Sequence, residues 1–131
     1  MNHLPDWSKH TILLVDDVAI NRMVAAMILD DTNIRIVPAE DGRQAVDKFK
    51  ASPERFDLIL MDVQMPVLDG LEATKEIRSI GEKGKAVPII SMTAAASNID
   101  ITACTAVGMN DHVLKPIVAE QFFSVLGKYL V

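Results

Sequence analysis

An open α/β sheet of parallel strands, covered by helices on both faces, is the fold this 131-residue sequence predicts. Three observations carry it. Short β-rich apolar runs alternate with stretches of helical period, which argues a parallel sheet. Three of the runs are continuously apolar, the pattern of strands buried on both faces. The β-α units number five, with short connections, too few for a closed eight-fold barrel.

Taken in order, residues 1–10, "MNHLPDWSKH", mix charge, proline and histidine. They read as a short flexible tail that includes Trp7. The first strand is Thr11–Val15. Ile20, Val24, Met27 and Ile28 then fall at i, i+4, i+7 and i+8, a helical face. The second strand is Ile34–Pro38, followed by a short charged helix near Gly42–Ala51. The third is Asp57–Met61, with a helix near Gly70–Ser79 after it. The stretch "GEKGK", Gly81–Lys85, reads as a surface loop. The fourth strand is Pro88–Met92, and Ile99, Thr102, Ala103, Ala106 and Val107 repeat a helical face behind it. The fifth is His112–Leu114. Val118, Phe122, Val125, Leu126 and Tyr129 make the closing helix. Residues 11–131 therefore form one domain, with no internal repeat or linker.

Composition narrows the function classes. Half of the residues are hydrophobic, enough for a core. The formal charge of -5 argues against direct contact with a nucleic-acid backbone. The first residues do not form a signal peptide. The longest unbroken apolar run, Met23–Leu29, is too short for membrane insertion. The single cysteine, Cys104, allows no internal disulfide and fits a cytoplasmic location. With no Cys-x-x-Cys and no basic neighbour, it reads as a small core or surface residue rather than a reactive thiol.

In a doubly wound sheet the working crevice lies off the carboxyl ends of the strands. Asp16 and Asp17 follow the first strand. Asp62 follows the third, inside "LILMDVQMPVLDG". Thr93 follows the fourth and Lys115 the fifth. Strand two ends on Pro38, Ala39 and Glu40, which offer little chemistry. Three carboxylates at one crevice repel, and Mg²⁺, which prefers hard oxygen ligands, would compensate. A carboxylate can act as a nucleophile and form an aspartyl phosphate. A cation, an ammonium and a hydroxyl around it would clamp a phosphoryl group. Each residue alone also has a plainer reading. Asp17 suits a helix N-cap, Thr93 a local donor, Lys115 a solvated surface and Asp69-Gly70 a turn before a helix. Their convergence on one sheet edge favours the site.

The pieces "ILLVDD", "LILMDVQMPVLDG", "PIISMTA" and "GMNDHVLKPI", in this order and spacing, resemble the receiver domains of two-component signalling, over about residues 11–131. The resemblance implies a flavodoxin-like sheet in the order 2-1-3-4-5 with five helices. It implies that Asp62 is the phosphoacceptor and that Asp16 and Asp17 hold Mg²⁺, with Asp62 and the backbone carbonyl of Gln64. Thr93 would bind the phosphoryl group, and Lys115 would pair with it and with Asp62. Pro66 and Gly70 would shape the loop after strand three. Lys115-Pro116 would be a cis junction. The partner would be a histidine kinase or a histidine phosphotransfer domain, and the style of "MDVQMPVLDGLEATKEIR" resembles receivers of hybrid kinases. The chain would catalyse only its own phosphorylation and dephosphorylation. Its output would be a shift of the face built from the fourth helix, fifth strand and fifth helix.

Two features depart from the family's commonest pattern. His112 stands where Tyr or Phe is usual as a switch residue, and it reads equally as a packing residue. Gln64 and Ala95 flank the expected water path and would tune the phosphoryl lifetime. Three other readings compete. A haloacid-dehalogenase-type phosphatase wants a second acid two residues after its nucleophile, where this chain has Gln64. A flavin carrier wants a Ser/Thr/Gly-rich phosphate cradle after strand one, where Asp16-Asp17 would repel. A degenerate receiver would lack some of the key side chains, and all five are present.

Overall fold

The computed structural model describes residues 5–63, 65, 67–94 and 101–130. In chain order the elements are β1 (Thr11–Val15), α1 (Ala19–Leu29), β2 (Arg35–Ala39), α2 (Gly42–Ala51), β3 (Leu58–Asp62), α3 (Gly70–Arg78), α4 (Gly81–Ala86), β4 (Ile89–Ala94), α5 (Ile101–Ala106), β5 (Asp111–Lys115) and α6 (Ala119–Gly127). All five strands are parallel, in the order β2-β1-β3-β4-β5. This is the order the resemblance implied. The chain steps from β1 out to β2, then returns past β1 to β3. That reversal opens a crevice at the carboxyl ends of β1 and β3.

The central strands β1 and β3 are mostly apolar because both of their faces are covered. Alternate residues divide between two cores. Leu13, Val15, Ile59 and Met61 join Val46, Phe49, Ala73, Ile77 and Cys104 of α2, α3 and α5. Ile12, Leu14, Leu58 and Leu60 join Ala25 and Leu29 of α1 and Phe122, Val125 and Leu126 of α6. Cys104 is fully buried, in keeping with a packing role. Helix starts follow from local chemistry. The Asp41 side chain accepts from the Gln44 amide and Asp69 from the Glu72 amide, so each caps the helix behind it.

Two expectations need correction. "GEKGK" is not a loop: Gly81–Ala86 is α4, which makes six helices among the described residues. Its carboxyl end is capped from outside. Arg78 Nη1 donates to the main-chain oxygens of Gly84 (2.9 Å), Lys85 (3.4 Å) and Val87 (2.6 Å). Gly84 also has to be small, since a Cβ there would lie 2.1 Å from the Ile77 oxygen.

The second correction concerns residues 5–10, which are not a frayed tail. Trp7 is buried, its amide donates to Thr32 O at 2.8 Å, and its ring packs 6.0 Å from that of Phe123. Helix α1 forms as its periodicity suggests. Of its apolar residues, Ala25 and Leu29 are buried, while Ile20, Met23, Val24 and Met27 are exposed.

Candidate functional site

β1 ends where the sequence suggested, whereas β2 to β5 run slightly further, and this matters at the crevice. Asp62 is the last residue of β3 rather than the one after it, and sits opposite Met92 of β4. Thr93 lies inside β4, and Lys115 ends β5. Main-chain pairing therefore holds these three residues.

Asp16 and Asp62 are buried, and Asp17 is exposed. One oxygen from each lies within 4.8 Å of the others. Lys115 Nζ reaches Asp16 Oδ2 at 2.9 Å and Asp62 Oδ1 at 3.3 Å. Asp16 Oδ1 accepts from the Val18 amide at 2.9 Å and from Asn21 Nδ2 at 3.5 Å. The N-cap residue of α1 is Val18, which has no capping side chain, so the plainer reading of Asp17 as the cap does not hold.

The electrostatics are unbalanced. Burial pushes the Asp62 carboxyl up to about 7. Lys115 pulls it down, while the Asp16 charge and a hydrogen bond with Asp17 push it up. Burial also works against the Lys115 ammonium, yet its hydrogen bond to Asp16 and the charges of Asp62 and Asp16 leave it above its ordinary value. Three acids around one ammonium form a site short of positive charge. The oxygens lie within 4.8 Å of one another, a limit that admits the roughly 4 Å across a Mg²⁺ coordination sphere. The donor set is all oxygen. These features fit a small divalent cation.

The loop after β3 returns tightly onto the strand. The Gly70 amide donates to Val63 O at 2.9 Å. A Cβ at Gly70 would lie 2.3 Å from the main-chain oxygen of Asp62, so only glycine allows this approach. Val67 within the loop is exposed and has φ 69°, an uncommon state for a β-branched residue. Gln64, Pro66 and Ala95 lie outside the described residues.

Thr93 is buried. His112 is half-buried, with Nδ1 3.5 Å from the hydroxyl oxygen of Ser91. Ser91 and Thr93 point to the same face of β4. The Lys115–Pro116 peptide is cis. Among the described residues, no helix is long and apolar enough to cross a membrane.

Two features beside the site escaped the sequence reading. Arg22 Nη1 donates to the main-chain oxygen of Asp16 at 2.6 Å. The exposed side of α1, with Ile20, Met23 and Met27, borders a small groove lined by Asn21, Val24, Lys115, Pro116 and Ile117. The one available signal was that apolar residues of α1 occupy more of its circumference than a single buried stripe needs.

The profile of the response regulator receiver domain matches residues 12–126. The chain belongs to that family. Among relatives of this receiver, "Two-component system protein A" of Emericella nidulans is 41% identical over 92% of this chain. The chain spans only 17% of that protein's length. Among solved structures, the receiver domain of the Pseudomonas aeruginosa sensor histidine kinase PA1611, which has a magnesium ion in its active-site cleft, is 40% identical. Its TM-score is 0.82, over 92% of this chain and 97% of that one. The Saccharomyces cerevisiae Ssk1 receiver, solved with the histidine phosphotransfer protein Ypd1, is 28% identical with a TM-score of 0.82. That likeness covers 92% of this chain and 88% of the other.

Proposed function

We propose that this receiver takes a phosphoryl group onto Asp62 from a phosphohistidine of a histidine kinase or a histidine phosphotransfer domain. The observation that carries this reading is the strand-end carboxylate of Asp62. It stands 3.3 Å from Lys115 Nζ and shares a 4.8 Å cluster with Asp16 and Asp17. An Asp62 oxygen forms the new P–O bond as the donor's P–N bond breaks, and the departing imidazole takes a proton. Asp16, Asp17, Asp62 and the backbone carbonyl of Gln64 would hold Mg²⁺. When bound, the cation neutralises the acids and the oxygens of the transferred group. Lys115 supplies the fixed positive charge on the other side. Thr93 donates to the phosphoryl group. Gly70 lets the chain after β3 return onto the strand end behind the acceptor.

The donor approaches over α1. Its exposed Ile20, Met23 and Met27, beside the groove that Val24 and Ile117 line, give an apolar landing face that leads to Lys115. The Ypd1–Ssk1 complex supports this kind of partner. Phosphorylation then moves Thr93, His112 follows through Ser91, and the face of α5, β5 and α6 shifts between two states. The chain turns over no other substrate, and it works in the cytoplasm beside its kinase.

Intact mass after incubation with acetyl phosphate tests the reading. One phosphoryl group should appear on the wild type with Mg²⁺, and none in EDTA or on Asp62→Asn. Labelled Asp62→Asn would place the acceptor elsewhere.

A further inference from the structure

Arg22 stands one turn into α1, with only 19% of its side chain exposed. Its Nη1 donates to the Asp16 main-chain oxygen at 2.6 Å, and its Nη2 lies 3.7 Å from Glu40 Oε1 just past β2. The guanidinium therefore bridges the turn after β1 to the end of β2. The oxygen it holds belongs to the peptide plane joining Asp16 to Asp17. A peptide group is planar, so fixing its carbonyl direction fixes the direction in which Asp17 starts.

The other polar groups of Asp16 are already held. Its amide donates to Ala39 O at 3.1 Å, Oδ1 accepts from Val18, and Oδ2 faces Lys115. Only the carbonyl, and the peptide it belongs to, depends on Arg22. Glu40 is 66% exposed, so its ion pair contributes little and the hydrogen bond is the clamp.

We propose that Arg22 is a positioning residue for the acidic pair: it clamps the Asp16–Asp17 peptide so that Asp17 is aimed at the cation site. This rests on the reading of Asp16 and Asp17 as Mg²⁺ ligands. Residues that orient metal ligands typically change affinity by about 10–100-fold when lost.

The experiment is a Mg²⁺ titration of the full chain followed by backbone amide shifts. The variants are Arg22→Met, Arg22→Lys, Glu40→Gln and Leu29→Ala. Arg22→Met should weaken Mg²⁺ binding at least about tenfold. Arg22→Lys, which keeps a donor, should recover most of it, and Glu40→Gln should change it little. Leu29→Ala, at the buried far end of α1, should lower the melting temperature but leave the affinity within about twofold. If Arg22→Met does not fold, Arg22→Gln is read in its place. Unchanged affinity in the arginine variants overturns the proposal, and so does an equal loss in Leu29→Ala.

If the wild type binds no Mg²⁺, the reading of the acidic site fails. The orientation of the Asp17 N–H, read from its residual dipolar coupling in metal-free buffer, then decides the clamp by itself. A changed orientation in Arg22→Met but not in Leu29→Ala supports it, and an unchanged one overturns it.

Discussion

Charged groups are withdrawn from water at both ends of this sheet, and the two ends treat them in opposite ways. At the carboxyl ends of the strands, Asp16, Asp17 and Asp62 crowd around Lys115. At the other end, Arg78 is surrounded by neutral oxygens: those of Gly84, Lys85, Val87 and Gly108, and Asn110 Oδ1 at 2.8 Å. Asn110 Oδ1 accepts from the Ile89 amide as well. The first centre keeps unresolved repulsion, and the second is satisfied nearly to capacity. The difference teaches where each kind of work is done. A site that must accept a cation and a phosphoryl group is left short of positive charge. The opposite end, where α3, α4 and the starts of β4 and β5 meet, is knitted together by one guanidinium.

Breaking the satisfied end should have the larger effect. Arg78→Met strands those oxygens and should cost about 3 kcal/mol in urea unfolding. A loss below about 1 kcal/mol would mean that water replaces the guanidinium.

Breaking the strained end should have the opposite sign. The Asp62 carboxyl sits at about 7 in the folded protein against an ordinary 3.8. A raised folded value means that the stability held below 3.8 is lost as pH rises to about 7. Asp62→Asn cannot ionise. In EDTA it should match the wild type near pH 4 and become more stable than it as pH rises to about 7, the gap then holding to pH 8. A difference that stays flat with pH would show that Lys115 already balances the site.

The smallest change is expected for the exposed acid. Asp17→Ala should gain under about 0.5 kcal/mol in EDTA, because its charge is largely screened. It should also erase the rise in melting temperature that Mg²⁺ gives the wild type. A full Mg²⁺ response in this variant would remove Asp17 from the ligand set.

The sheet was legible because buried parallel strands leave long apolar runs, and the acids because they interrupt those runs at one edge. What escaped has a physical reason in each case. α4 contains Gly81 and Gly84 and depends on a cap from Arg78, a residue outside it. Trp7 is buried through contacts with Thr32 and Phe123, far away in the chain. The periodicity of α1 showed apolar faces but not which one meets the core. Arg22 acts on a main-chain oxygen, and main-chain atoms carry no letter in a sequence.

The Trp7–Phe123 contact has an optical consequence. Trp7 is the only tryptophan in the chain, and its ring is shielded from water against α6. Its fluorescence thus samples the packing of the last helix, and the domain carries a native, label-free probe of the α6 face.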